Sequence, residues 1–226
     1  LHLNPIMAVI TNIDNDHLDF HKSEENIRKA FTDFINRLPF YGKVALNAHD
    51  AGTKKIMDSV KRPYVLFGIA KGLDDKVTLD YSADKIVFQP GHTEFDLWSK
   101  GSRVGRIQTQ TSGEHNVSNA LAAIAISHES GLSFPQIISG LAKFQGVGRR
   151  LERLWQKDAF EVIDDYGHHP TEIRATLATL KNVFKKPICV VFEPHRYSRT
   201  QQLWNDFVEC FTDADEIYIG PIYAAS

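Results

Sequence analysis

The sequence has 226 residues, 42% hydrophobic and 24% charged, which is the composition of an ordinary soluble globular chain of one or two domains. With 26 Lys and Arg against 28 Asp and Glu, its formal charge of −2 gives no bulk electrostatic reason for a nucleic-acid or anionic-membrane partner. No apolar stretch approaches a membrane span, and no signal-peptide pattern is present. Cys189 and Cys210 do not make a disulfide framework, and Cys189 lies in the apolar run Ile188 to Phe192, which is expected to be a buried strand. A reducing cytosol fits that usage. The chain opens inside an apolar segment and stops just after an expected strand, so a piece of a longer protein is expected.

In chain order, Ile6 to Thr11 reads as a buried strand that delivers the chain to a polar turn at 12–17. Ser23 is a candidate N-cap, and Glu24 and Glu25 suit the positive end of a helix dipole. Ile27, Phe31, Phe34, Ile35 and Leu38 recur at three- and four-residue steps, so the spacing predicts an amphipathic helix over 24–38. A strand follows at 43–47, a helix at 50–60 and a strand at 64–67; the alternation points to a parallel α/β sheet. From 76 to 111 the pattern becomes short strands at 77–81, 86–88, 95–98 and 104–107, an antiparallel meander without helices. Helices are expected at 115–130 and at 133–144, the second opened by Ser133 and Pro135, and Gly146-Val147-Gly148 reads as a hinge. Beyond it a second α/β unit is expected, with strands at 151–156 and 159–164, a helix from Pro170 to Phe184, a strand at 187–192, a helix at 199–212 and a strand at 216–220.

Four polar clusters fall at expected strand ends, where α/β sheets carry their sites. In Thr11-Asn12-Ile13-Asp14-Asn15-Asp16-His17-Leu18-Asp19, hard oxygen ligands and one imidazole stand together. Magnesium prefers oxygen, so chemistry alone nominates Asp16 before His17; the alternative is a loop whose Asp side chains cap turns. In Gly113-Glu114-His115-Asn116-Val117-Ser118-Asn119, Asn116 and Asn119 share one face of a helix's first turn, and their amides suit the donor and acceptor edge of adenine. Simple N-capping is the alternative. In the third cluster, Arg149 and Arg150 beside the hinge suit phosphate oxygens, and Asp165 at a strand end suits ribose hydroxyls. His168-His169 is a poor metal pair, because adjacent residues rarely direct both side chains at one ion. In the fourth, Arg196 and Arg199 of Glu193-Pro194-His195-Arg196-Tyr197-Ser198-Arg199-Thr200 suit an anionic ligand, or else pair with nearby acids.

The order of these strings, T-N-I-D-N-D-H-L-D, G-E-H-N-V-S-N, G-V-G-R-R, D-D-Y-G-H-H-P-T-E and E-P-H-R-Y-S-R-T, together with F-I-N-R-L-P-F-Y-G at 34–42, resembles the Mur ligase family over essentially the whole chain. The resemblance implies a bacterial, cytoplasmic, ATP- and magnesium-dependent ligase of peptidoglycan precursor synthesis, with UDP-N-acetylmuramate and L-alanine as substrates. The family's murein tripeptide recycling member is the second choice, since D-D-F-A-H-H-P is expected there near 164. A non-catalytic nucleotide- or anion-binding module is the rival from another class. The implied fold is α/β: residues 1–147 a central ATPase-type domain with a mainly parallel sheet and an antiparallel meander, and 148–226 part of a Rossmann-like C-terminal domain.

The family's N-terminal UDP-binding domain and glycine-rich phosphate loop are not found in this sequence, so the chain by itself is expected to be inactive. The resemblance also distributes roles. It assigns magnesium to His17, overriding the preference for Asp16. It gives the adenine side to Asn116 and Asn119 with His115 beside them, the ATP phosphate to Arg150, and the ATP ribose to Asp165. Tyr166, His168, Arg196 and Arg199 fall to the amino acid and the muramoyl carboxylate or phosphate, with Arg150 and His168 closest to the chemistry.

Overall fold

The computed structural model describes residues 4–16, 18–74 and 77–224. The chain divides into two compact units. The first comprises Leu1–Val87, Thr93–Thr109 and His115–Phe144; the second comprises Phe88–His92, Gln110–Glu114 and Gln145–Ser226.

The first unit is built on a six-stranded sheet whose spatial order follows the chain: β1 (Met7–Ile10), β2 (Lys43–Asn47), β3 (Tyr64–Ile69), β4 (Tyr81–Gln89), β5 (His92–Ser99) and β6 (Ser102–Thr109). β1, β2, β3 and β4 pair in parallel, with Ala8 opposite Val44, Ala45 opposite Val65 and Phe67 opposite Tyr81. β2 buries its three central residues, as a strand covered on both faces must. A short α1 (Leu18–His21) precedes α2 (Glu24–Asn36). Ser23 caps α2 by accepting the Asn26 N–H at 3.2 Å, and α2 buries Ile27 and Ile35 against Ile10, Ile13, Leu46 and Ile56. Asp50 caps α3 (Ala51–Ile56), which tightens into a single 3₁₀ turn at Met57–Ser59 instead of running on to 60.

The meander is three longer strands, not four short ones. Residues 77–79 are not a strand; pairing starts at Tyr81, just after Asp80 accepts the Leu66 N–H at 2.8 Å through its carboxylate and bonds the Leu66 carbonyl through its own N–H. Pro90 and Gly91 turn β4 tightly into β5, and β5 pairs antiparallel with β6, so the parallel sheet and the meander form one mixed sheet. α4 (Glu114–Glu129) buries Val117, Leu121 and Ile124, and α5 (Phe134–Lys143) opens on Ser133 in a capping box with Gln136.

In the second unit β7 (Glu152–Lys157) and β8 (Phe160–Asp164) form an antiparallel hairpin of their own. α6 spans Pro170–Phe184, and β9 (Cys189–Phe192) pairs in parallel with β10 (Glu216–Ile219). The expected helix over 199–212 is two short ones, α7 (Tyr197–Gln202) and α8 (Trp204–Glu209), broken where Leu203 leaves helical geometry (φ −107°, ψ 25°) and drops its side chain into the core. That core gathers Ile173, Leu177, Phe192, Leu203, Phe207, Cys210 and Phe211. The expectation of a buried strand at Cys189 is corrected: Cys189 is exposed and Val191 is 82% exposed, because the strand directs only one face at this core. Among the described residues no helix is long and apolar enough to cross a membrane.

Candidate functional site

In the first unit, strand ends bring two of the clusters together. The loop at 11–16 leaves β1 and is pinned by the end of the neighbouring strand β2 and the turn after it. Asp50 accepts the Ile13 N–H at 3.0 Å and the Thr53 N–H at 2.6 Å, so one carboxylate both caps α3 and fixes the loop. Asn47, at the end of β2, donates to the Thr11 carbonyl at 2.8 Å and to the Ser118 hydroxyl at 3.3 Å. Ser118 lies between Asn116 and Asn119, so Asn47 ties the acidic loop to the opening of α4. Gly113 enters that helix at φ +106°, a conformation that glycine adopts freely. His115 and Asn116 are half-buried and Asn119 is exposed, all on the first turns of α4. Beside the loop lies a cleft of about 200 Å³ lined by Asp14, Asn15, Glu24, Arg28 and Lys55, in which Asn15 and Arg28 hold the Glu24 carboxyl below the usual carboxylate range.

His17 lies outside the described residues, so its metal role rests on sequence. Asp14, Asn15 and Asp16 are oxygen donors of the kind magnesium takes. Among the described residues no group of three or more His, Cys, Asp or Glu converges to hold an ion.

The second unit assembles most of the remaining candidates. Arg149 (φ 57°) and Leu151 (φ 50°) both adopt left-handed backbone, folding 149–151 into a tight turn against the loop after β8. The Asp165 carboxylate locks the two together: Oδ2 accepts the Leu151 N–H at 2.9 Å and Oδ1 accepts the Gly167 N–H at 2.8 Å. The Tyr166 N–H donates to the Arg149 carbonyl at 2.7 Å. Asp165 is therefore first a structural clamp; any ribose contact falls to its remaining lone pairs. The Tyr166 ring carries the guanidinium groups of Arg149 at 5.0 Å and Arg150 at 5.7 Å, with His168 edge-on at 5.2 Å.

The two adjacent histidines make different hydrogen bonds. His169 is the N-cap of α6, accepting the Thr171 N–H through Nδ1 at 3.3 Å, and is buried. The His168 ring bonds the Tyr166 carbonyl through Nδ1 at 3.0 Å and faces His195, ring centres 6.2 Å apart. Glu172 joins them: its Oε2 accepts the N–H groups of His168 at 3.0 Å and His169 at 3.2 Å, and its Oε1 meets Arg150 Nη1 at 3.2 Å.

Arg196 sits at φ 72°, rare for a side-chain-bearing residue, and its N–H donates to the Tyr223 carbonyl at 2.8 Å. Arg199 is buried in the first turns of α7 with Nη1 donating to the His195 carbonyl at 3.4 Å. Desolvation, then Arg199, His168 and Arg196, push the His195 imidazole below its ordinary value, with Glu193 opposing. The unit therefore gathers Arg150, Tyr166, His168, Arg196 and Arg199, four cationic or imidazole groups and one aromatic, in a surface suited to carboxylate and phosphate oxygens. Sequence reasoning passed over His195, Glu172 and Tyr223. His195 stands in the same string as Arg196, but Tyr223 is brought in only by its isolated parallel bridge to His195.

Two family models match the chain: the Mur ligase middle domain over residues 1–127, and the Mur ligase glutamate ligase domain over residues 149–220. Among curated relatives, the UDP-N-acetylmuramate–L-alanine ligase of Endomicrobium trichonymphae is 43% identical over 226 residues, covering 100% of this chain and 49% of its own. That of Geobacter sulfurreducens is 44% identical, covering 100% of this chain and 48% of its own. The chain thus spans about half the length of the curated relatives it matches. Among solved structures, the UDP-N-acetylmuramate-alanine ligase of Thermotoga maritima superposes with a TM-score of 0.75 at 30% identity, over 98% of this chain and 47% of that one. MurF from Acinetobacter baumannii superposes with a TM-score of 0.79 at 26% identity, over 96% and 47%. With a middle-domain match over more than half its length and relatives above 40% identity from end to end, this chain belongs to the Mur ligase family.

Proposed function

We propose that the chain supplies the central and C-terminal parts of an ATP-dependent ligase that joins L-alanine to UDP-N-acetylmuramate in cytoplasmic peptidoglycan precursor synthesis. Residues 1–147 are the central ATP-binding part and 148–226 the C-terminal ligase part. The observation that carries this reading is the 43% identity, spread over every residue of the chain, to a relative named for that activity.

The chemistry runs in two steps. A muramoyl carboxylate oxygen takes the γ-phosphoryl group of ATP, giving an acyl phosphate and ADP. The alanine amine, having lost a proton, then attacks the acyl carbon, and the tetrahedral intermediate expels inorganic phosphate to leave the amide. Both steps concentrate negative charge on oxygen, and catalysis is chiefly positioning and charge stabilisation. Magnesium, held by His17, would neutralise phosphate charge when bound. Asn116 and Asn119, with His115 beside them, present amide edges to adenine, and Asp165 turns its free lone pairs to the ribose. Arg150 meets phosphate oxygens. Tyr166, His168, Arg196 and Arg199 receive the amino acid and the muramoyl carboxylate or phosphate, for which their clustering in the second unit is the supporting geometry.

The test is a ligation assay on the protein as encoded in its genome, with ATP, magnesium and UDP-N-acetylmuramate. Phosphate release that depends on L-alanine, with a product heavier by one alanyl residue, is the expected result. Turnover with murein tripeptide but not L-alanine would move the assignment to the recycling member, and no amide product with either would refute a ligase.

A further inference from the structure

Glu172 belongs to none of the roles above, yet three of the groups around the proposed phosphate and amino-acid site meet at its carboxylate. It is the third residue of α6 and half-buried. One oxygen accepts the backbone N–H groups of His168 and His169, at 3.0 and 3.2 Å, closing the capping box of the helix. A capping box needs no more than that, and glutamine serves it as well as glutamate. The second oxygen is turned the other way, onto Arg150 Nη1 at 3.2 Å, across 22 residues of sequence. Arg150 has no other rigid support among its described contacts than the Tyr166 face at 5.7 Å. Its side chain is 46% exposed, and a side chain that loose would otherwise spread over many rotamers.

Burial alone would raise the Glu172 carboxyl; the His168 N–H, the His168 ring, the His169 N–H and Arg150 outweigh it and hold it below the usual carboxylate range. The carboxylate therefore stays charged across the working range of pH.

We infer that Glu172 is a positioning residue: its carboxylate orients the Arg150 guanidinium on the Tyr166 ring while fixing the backbone that carries His168, so one side chain sets the spacing between the phosphate-facing arginine and the substrate-facing histidine. The inference rests on the proposed ligase reading. It makes the negative charge of Glu172, not its capping ability, the functional quantity. An incoming phosphate competes for the same Nη1 donor, so the pairing holds Arg150 ready without locking it.

Glu172→Gln separates the two roles, because glutamine keeps the cap and loses the charge. In the ligation assay, Glu172→Gln is expected to lower kcat about tenfold, with KM for L-alanine within twofold and Tm nearly unchanged. In an Arg150→Ala background the same change is expected to alter kcat less than twofold, since its route of action is gone. Wild-type kcat in Glu172→Gln, or a full tenfold loss on top of Arg150→Ala, would overturn the inference while leaving the ligase reading intact. A wild-type protein with no ligase activity would sink both. Nitrogen NMR of Arg150 in the wild-type protein needs no variant: slowed rotation of the guanidinium supports the pairing, and free averaging of its Nη signals refutes it.

Discussion

The Tyr81 hydroxyl donates to the Glu129 carboxylate at 2.7 Å, joining the first residue of β4 to the last residue of α4 across 48 positions of sequence. Glu129 also pairs with Lys43 at the start of β2 and with Lys100 at 3.4 Å, and its side chain is only 7% exposed. His128 Nδ1 lies 2.8 Å from the same hydroxyl, and its ring stacks on Phe134. Burial and the Glu129 charge push the Tyr81 phenol well above its ordinary value. This polar knot sits inside the first unit, at the starts of β2 and β4.

Burial alone would raise the Glu129 carboxyl, but Lys43 and Tyr81 outweigh it and bring it from 4.5 down to about 2. A depressed folded-state pKa stabilises the fold above the unfolded value and loses that contribution as pH falls toward the folded one. The shift corresponds to about 3 kcal/mol. Glu129→Gln is therefore expected to lower unfolding free energy by roughly 2–3 kcal/mol at pH 7. Urea titrations should show the gap between variant and wild type narrowing between pH 4.5 and 2, and a pH-independent gap would reject the account.

Asp165 divides its carboxylate between the Leu151 and Gly167 N–H groups. Asp165→Ala leaves both donors without that partner at a cost of about 1–3 kcal/mol. Hydrogen exchange at those two amides is expected to rise by one to two orders of magnitude, a range that this cost sets. Unchanged protection would mean the clamp is dispensable, and any activity loss would then belong to ligand contact alone.

His195 should titrate below the 6.5 of a free imidazole, because desolvation and then the charges of Arg199, His168 and Arg196 disfavour its protonated form. Proton NMR of the ring should show the titration moving up in Arg199→Gln, and by less in Arg196→Gln, because Arg199 acts more strongly. An identical midpoint in all three proteins would remove the arginines as a cause.

The thiols differ in access. Cys189 is exposed, whereas Cys210 is 1% exposed and burial pushes its thiol up to about 11. Iodoacetamide at pH 8 is expected to label Cys189 in the folded protein and Cys210 only in denaturant. Equal labelling rates would contradict the core assignment.

Much of this was legible locally. Ser23 and Ser133 announce helix starts through side chains that act only three residues away, so linear spacing reports them faithfully, whereas the caps made by Asp50 and by His169 with Glu172 emerged only in the structure. The three- and four-residue recurrence of Ile27, Phe31, Phe34 and Ile35 located α2, and the strings around Asn116, Asp165 and Arg196 named the family before any coordinates. The break at Leu203, the merging of the meander with the parallel sheet and the exposure of Cys189 were not legible. Each depends on what packs alongside, and hydrophobic runs carry no record of which face finds a neighbour.

The sequence by itself determined the chemical inventory: which carboxylates, amides, imidazoles and guanidinium groups exist, and that they stand at the ends of strands. Only the tertiary structure decided their allegiances. It gave Asp165 to two backbone amides, split the histidine pair between a helix cap and an open ring, brought Tyr223 to His195, and set Glu172 between Arg150 and His168. Hydrogen bonds and ion pairs act over about 3 Å, and that distance between residues far apart in sequence is fixed by chain folding and side-chain packing.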